Sequence, residues 1–213
     1  MGNDYKDFLR DPKVRGETER ALSEKLSPPY SDDDLALRLC EEHSNTFRFV
    51  PTQRRWMEWN GNVKRPGYWV EQSTTRVFGL ARTICREASL EKDLSESLRR
   101  RICSKNTVAA VEHLAQSDDR VAATVEQWDA KPMQLNVVNG TLDLLTAKLH
   151  DHDPQNFHTK LAGCEYSEKT PARWLQFLGE IFAGDAEMTT YMQRVAGYCL
   201  TGSTREQALF FWL

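Results

Sequence analysis

His150, Asp151, His152, Asp153 and His158 form the densest group of side chains able to hold a metal or move a proton. Imidazoles and carboxylates in alternation suit both tasks. The group falls at an expected strand end before Pro154, however, and a solvated turn accounts for it without chemistry. Cys40 and His43 have a C-x-x-H spacing, but a zinc site takes four ligands and no second pair lies at comparable spacing. The chain contains no G-x-x-x-x-G-K-[ST], G-x-G-x-x-G, H-E-x-x-H or G-x-S-x-G run. Asp32 to Asp34 and Asp118-Asp119 stand at expected helix starts, where capping explains them. Asn139-Gly140-Thr141 reads as a turn. No catalytic residue and no metal ligand is therefore assigned, and a small enzyme built on His150 to His158 is the least supported reading.

Binding chemistry has a stronger signal. The net charge of -3 is an average over three unlike segments. Residues 1–46 carry 7 Lys/Arg against 11 Asp/Glu, residues 47–105 carry 13 against 6, and residues 106–213 carry 8 against 14. A basic segment between two acidic ones points to a face for a polyanion. Within it Arg48, Arg54, Arg55, Lys64 and Arg65 are interleaved with Phe47, Phe49, Trp56, Trp59, Tyr68 and Trp69. Cations along a ribbon can neutralise phosphates while aromatic rings stack on unpaired bases. Strand alternation allows a second arrangement, with the rings on the core side and the arginines in water. The candidate DNA-binding residues are Arg54, Arg55, Trp56, Trp59, Lys64 and Arg65, with Arg99, Arg100, Arg101 and Lys105 as a second patch.

The elements that would position these residues follow from periodicity. Ser31 and Asp34 mark the start of a helix with Leu35, Ala36, Leu39 and Cys40 on one stripe. Thr46 to Val50 and Arg55 to Trp59 alternate as an antiparallel ribbon over about 46–60. Val77, Leu80, Ala81, Ile84, Cys85 and Ala88 repeat at helical spacing over residues 74–89. A further helix runs through Leu94, Leu98 and Ile102, and Asn106 is the expected cap of the next. Residues 134–150 read as a hairpin or meander turning at Asn139-Gly140. Near the end, Thr170 and Pro171 start a helix whose expected buried face is Trp174, Leu178, Ile181 and Phe182. Asp185 starts another, through Met188, Tyr191, Met192, Val195, Ala196 and Cys199. Ala208 to Leu213 reads as a buried strand. The fold class expected is α+β, predominantly helical.

Forty per cent hydrophobic and 28% charged residues are ordinary for a globular chain with a real core. No apolar run approaches the ~20 residues needed to cross a bilayer, and Met1 to Arg10 lacks the apolar core of a secretory signal. Five cysteines at wide spacings argue against a disulfide framework, and Cys85 and Cys199 are expected in the core. The expected location is the cytoplasm.

The run Tyr191-Met-Gln-Arg-Val-Ala-Gly-Tyr-Cys-Leu-Thr-Gly202, followed by Ala208-Leu-Phe-Phe211, resembles the segment before the ATPase core in phage, plasmid and poxvirus-type primase/helicases of superfamily 3. Leu135 to Leu144 with its Asn139-Gly140 turn, His152 and Pro154 is similar to the domain upstream of that core. So are Trp174, Leu175, Phe177 and Leu178 ahead of Gly184-Asp185. Ala147 departs from the resemblance, which has Thr-Gly at that turn. Residues 1–30, with alternating charges, Pro12, Gly16 and Pro28-Pro29, read as a polar tail with at most one helix near Glu17 to Leu26; the resemblance implies a mostly helical helicase-associated domain over 31–205 and the first strand of an absent ATPase core over 206–213. It implies truncation before the phosphate-binding loop, so ATP hydrolysis and primer synthesis are not expected of this chain. ATP and magnesium are expected only for the downstream ATPase domain, and no cofactor for this one. The implied function is DNA engagement and subunit assembly in DNA replication of a phage or related element. The implied partners are single-stranded or forked DNA and further copies of the chain, with no membrane. The alternative is a purely structural or oligomerisation module, or an inactive fragment, without DNA binding of its own.

Overall fold

A computed structural model describes residues 27–62, 65–207 and 210 of the 213. The expected tail helix near Glu17 to Leu26 and most of the expected strand over Ala208 to Leu213 lie outside the described residues. Among the described residues the order is α1 (Asp32–His43), β1 (Phe47–Val50), β2 (Arg55–Trp59), β3 (Trp69–Glu71), α2 (Arg76–Ser89), α3 (Glu96–Ile102) and α4 (Lys105–Ala115). Then come β4 (Gln134–Val137), β5 (Gly140–Asp143), β6 (Lys148–His150), α5 (Ala172–Ile181) and α6 (Ala186–Cys199). The strands form two three-stranded sheets in the orders β1-β2-β3 and β4-β5-β6. The class is α+β, predominantly helical. Two compact units divide the chain, the first from residues up to 57 and from 71–123, the second from 58–70 and from 124 onward. The backbone passes from one to the other within β2, returns within β3 and crosses again after Ala123.

In the first unit, Ser31 Oγ accepts the Asp34 amide at 3.1 Å, and Asp32, Asp33 and Asp34 face the positive end of α1. The apolar stripe of α1 buries Leu35, Ala36, Leu39 and Cys40 in one cluster with Val77, Ala81, Ile84, Cys85 and Ala88 of α2. Ile102 and Val111 complete this cluster with no exposed surface. Each fully buried aliphatic side chain contributes about 1.5–3 kcal/mol. Burial pushes the Cys40 thiol up to about 12 and the Cys85 thiol up to about 11, so both stay protonated as small apolar groups. Ser104, not Asn106, caps α4, accepting the Thr107 amide at 3.1 Å. The expected cap was two residues late because Ser and Asn are both good caps and the helix takes the first. Strand β1 is tied to the chain after α4, where Phe49 N donates to Val121 O at 2.9 Å and Ala123 N donates to Phe49 O at 2.8 Å.

In the second unit, β4 and β5 pair antiparallel with Val137 opposite Gly140, and β5 pairs β6 with Leu142 opposite Leu149. The expected meander is present. Gly140 turns at φ +153°, where a Cβ would collide with the His150 carbonyl oxygen. At the other turn Asp143 Oδ1 accepts the amides of Leu145 and Thr146, which holds its carboxyl below the usual carboxylate range. Ala147 then takes φ +55°, a left-handed conformation that costs a Cβ-bearing residue energy. A third strand, β3, joins the expected 46–60 ribbon; its three residues are too few to set a period.

The terminal helix pair departs from the expected packing. Leu178 is buried on α5, and Met192 and Val195 on α6. Trp174 is 40% exposed, Phe177 49% and Ile181 50%, so the apolar side of α5 is largely uncovered. Periodicity identifies an apolar face but not whether anything packs on it. Cys199, expected in the core, is exposed for the same reason. Pro171 rather than Thr170 occupies the cap of α5, without a side-chain hydrogen bond, and Asp185 Oδ1 caps α6 by accepting Met188 N at 2.9 Å.

Replacing Ala147 with glycine relieves the left-handed strain at a modest cost in unfolded-chain entropy. Ala147→Gly is expected to raise the unfolding free energy by up to about 1 kcal/mol, read as a higher urea midpoint at unchanged slope. An unchanged or lower midpoint contradicts the strain argument.

Candidate nucleic-acid interface

The ten candidate residues meet different fates. In the first unit, Arg54 lies between β1 and β2 with φ +51°, exposed, and has no ion-pair partner among the described residues. Its neighbour Arg55 is held, with Nη1 at 2.7 Å from Glu71 Oε2. Trp56 is half-buried against Phe49, ring centroids 5.0 Å apart, and its Nε1 donates to Glu112 Oε1 at 2.7 Å. Strand alternation thus turns this ring toward protein. Arg48 is buried and donates from Nη1 to Phe47 O at 3.0 Å; burial pushes its guanidinium down.

The arginine triplet on α3 is mostly spoken for. Arg99 reaches back to the end of α2 and the following turn, donating to the carbonyls of Ser89, of Leu94 at 3.3 Å and of Glu91 at 2.9 Å. It serves as a C-terminal cap for α2 rather than an outward cation. Arg100 pairs with Glu96 one turn earlier at 3.1 Å, an exposed pair of little energetic weight. Arg101 is exposed and makes a long 3.4 Å contact with Tyr30 O. Lys105 is exposed at the start of α4.

In the second unit, Trp59 lies 5.6 Å from Trp69, which in turn meets Trp128 at 5.7 Å and Phe157 at 6.3 Å. Gly61 and Gly67 lie so close under the Trp59 indole that a Cβ at either would overlap it. This ring, too, is engaged in packing. Arg65 is exposed, and its backbone exchanges two hydrogen bonds with Asn62 at 3.1 and 3.3 Å. Lys64 lies outside the described residues. Arg54 and Arg55 belong to the first unit and Trp59 and Arg65 to the second, so the ribbon expected as one feature is divided along the chain.

A cationic pair absent from the expectations is Arg82 and Arg86 on α2. Both are exposed one turn apart, with exposed Gly79 and Thr83 beside them and no ion-pair partner among the described residues. The signal existed in the sequence, since these positions fall opposite the Val77, Ala81, Ile84, Cys85 stripe.

The histidine group is resolved by Asn136, buried in β4. Asn136 Nδ2 donates to Gly67 O at 2.9 Å and Lys160 O at 3.0 Å. Its Oδ1 accepts from Thr141 Oγ1 at 3.3 Å and from His152 Nδ1 at 3.0 Å. His152 Nε2 lies 3.3 Å from Val138 O, so the ring is set between two acceptor oxygens and its N–H is used in holding the loop. His150 is exposed in β6, and His158 is buried. Among the described residues no three His, Cys, Asp or Glu side chains gather in a way that could hold a metal ion.

Burial pushes the imidazoles of His158 and His43 below their ordinary 6.5. The unfolded chain therefore takes up protons first as pH falls, and stability drops from about pH 6.5 downward until the folded-state values are reached. The urea midpoint is expected to fall between pH 7 and pH 5, and His158→Gln is expected to flatten that fall. A midpoint independent of pH across this window contradicts the assignment.

No helix among the described residues is long and apolar enough to cross a membrane. Comparison with curated proteins gave no match. The family described as D5 N terminal like matches residues 36–183. That stretch runs from α1 through both sheets to the end of α5, including the Asn139-Gly140 turn and the Asn136 and His152 hydrogen bonds. On this match over most of its length, the chain belongs to the D5 N terminal like family, the N-terminal domain of phage- and plasmid-type primase–helicase proteins.

Proposed function

We propose that this chain is a non-catalytic module for DNA engagement and subunit assembly in a phage-type replication primase–helicase. The observation that carries the DNA half is a set of exposed arginines, Arg54, Arg65, Arg82 and Arg86, that no carboxylate neutralises among the described residues. They lie in the segment with 13 Lys/Arg against 6 Asp/Glu. Cations left without partners on a protein whose family serves replication suit phosphate contacts. Since Trp56 and Trp59 are occupied in packing, the mode proposed is phosphate neutralisation rather than base stacking along the ribbon. Lys64, Arg101 and Lys105 extend the same chemistry.

The assembly half rests on α5 and α6. Trp174 and Phe177 stack in parallel at 5.9 Å, exposed, beside Ile181 on the same helix, while Met188 is 41% and Tyr191 53% exposed on α6. An uncovered apolar face of this kind suits protein contact. The assembly-only reading, in which the cations never meet DNA, differs from the favoured one in salt response.

Two measurements test the halves separately. Combined Arg54→Ala, Lys64→Ala and Arg65→Ala is expected to weaken single-strand binding and make the dependence of log affinity on log salt shallower by about 2, at ~0.7 per phosphate contact. Adding Arg55→Ala is expected to change little further, because Glu71 already neutralises that side chain. Unchanged affinity and slope in the triple variant would leave assembly alone. For assembly, sedimentation of Trp174→Ser with Phe177→Ser is expected to shift the chain to a smaller species than the parent at equal concentration. An identical distribution would remove α5 from the interface.

A further inference from the structure

The outward stripe of α2 carries chemistry that the fold of the first unit does not use. At about 100° per residue, Gly79, Arg82, Thr83 and Arg86 share roughly 100° of arc on the side away from the residues buried against α1. Arg82 and Arg86 stand one turn, about 6 Å, apart along the axis. Both are exposed and without an ion-pair partner among the described residues. The one acid of α2, Glu87, sits at the edge of the stripe toward His43, and Arg76 turns to the Phe47 ring, 6.0 Å from its centre. Like charges four residues apart on a helix repel. The pair therefore weakens α2 unless an anion lies over it.

Gly79 weakens it a second time. It is exposed in the helix interior, and a Cβ built there meets nothing within 4 Å. Its backbone is ordinary helix, with no positive φ and with its N–H donating to Thr75 O at 3.0 Å. Neither packing nor conformation requires glycine, the least favourable helix-interior residue after proline. Thr83 beside it is folded back, its Oγ1 donating to Gly79 O at 3.2 Å. The result is a bare strip of helix backbone edged by two uncompensated cations. Gly179 and Gly197 are equally open, but α5 and α6 each carry a single arginine and no cation pair.

We propose that this stripe seats the sugar–phosphate backbone of duplex DNA, with one strand's ridge against the bare helix at Gly79 and Thr83 and with Arg82 and Arg86 on successive phosphates. This deepens the DNA-engagement reading and rests on it. Duplex is favoured over single strand by what the stripe lacks. Single-strand sites couple cations to aromatic rings on which bases stack. The stripe has no ring, and Phe78, the aromatic residue of α2, packs against the core. A duplex hides its bases and holds its charges at fixed intervals, one per ~3.4 Å of axis on each strand. Two arginines on one helix meet such a rail without first ordering a flexible chain. Contacts of this kind position the duplex and do not read its sequence.

The test uses the full chain with a fluorescein-labelled duplex of about twenty base pairs and with one of its strands alone. Arg82→Gln combined with Arg86→Gln is expected to weaken duplex binding about tenfold at low salt and to make its salt slope shallower by about 1.8, at ~0.9 per phosphate contact. Single-strand affinity is expected to change less than about twofold, and the urea midpoint is expected not to fall, since a like-charge pair is removed. Gly79→Ala and Gly79→Leu are expected to raise the urea midpoint, both being better helix formers. Duplex affinity is expected to fall in the order Gly, Ala, Leu, by about fivefold at Leu, with the salt slope unchanged. A glycine of purely structural importance would not move stability and binding in opposite directions. Unchanged duplex affinity in the arginine double variant or in Gly79→Leu overturns the proposal, as does an equal loss of single-strand binding. A parent chain that binds the single strand but not the duplex overturns it too. If the Arg54, Lys64, Arg65 triple variant loses single-strand affinity while the α2 variants keep duplex affinity, DNA engagement stands and α2 is not its duplex seat. A parent chain that binds neither DNA overturns both readings.

Discussion

The buried amide of Asn136 is the constraint on which the second unit depends. Four partners converge on it from four stretches of chain: Gly67, Thr141, His152 and Lys160. Each hydrogen bond is worth about 1 kcal/mol net, but removing the amide would leave two carbonyls, a hydroxyl and an imidazole to be satisfied at once. A buried amide has two donors and one acceptor oxygen in fixed directions, so it specifies a geometry that an apolar residue of equal volume could not. The loop before β3, the meander and the segment after β6 are thereby placed without an extensive hydrophobic core between them. The cluster of Trp59, Trp69, Trp128 and Phe157 packs in the same unit, with Trp69 Nε1 donating to Pro154 O at 2.9 Å. Tryptophan in this role supplies area and one directed donor together.

The first unit is held differently. Its stability comes from interlocked apolar stripes on α1, α2 and α4, with polar side chains arranged as caps and end-ties. Tyr30 and Arg38 both bind the Glu91 carboxylate, at 2.6 and 2.7 Å, which holds that carboxyl below the usual range and pushes the Tyr30 hydroxyl up. Arg99 does comparable work at the same C-terminal end of α2, on the carbonyls of Ser89, Glu91 and Leu94. Charge that composition marks as a basic patch is thus partly consumed inside the unit, and the cations left over are fewer and differently placed than the sequence count implies. This bears on the proposed DNA contact: it distributes the role over Arg54, Arg65 and the α2 pair instead of concentrating it in the Arg99 to Arg101 run.

Among the features that carried the resemblance, the Leu135 to Leu144 hairpin and His152 build the Asn136 network, while Pro154 O accepts from Trp69 Nε1. His152, which looks like an acid–base group when read as one letter among five, is a structural clamp because its ring lies between Asn136 Oδ1 and the Val138 carbonyl and its N–H is spent there.

How much was legible in the sequence follows from the range of each interaction. Helices α1, α2, α3, α4 and α6, the Ser31 and Asp185 caps, and the Asn139-Gly140 turn depend on neighbours within four residues, and their signals are correspondingly plain. The amino acids alone also determined the class, the meander, the basic segment and the family. Strand β3 was not legible, since three residues gain strand character only by pairing. The partners of Arg55 and Trp56 lie 16 and 56 residues away, and those of Arg99 lie 5, 8 and 10 residues back across the turn after α2, beyond the helical pattern. Whether the apolar side of α5 is covered and which aromatic rings are engaged are set by segments distant in sequence. Tertiary structure alone decided them, because burial and hydrogen-bond satisfaction are properties of what else arrives at a residue and not of the residue itself.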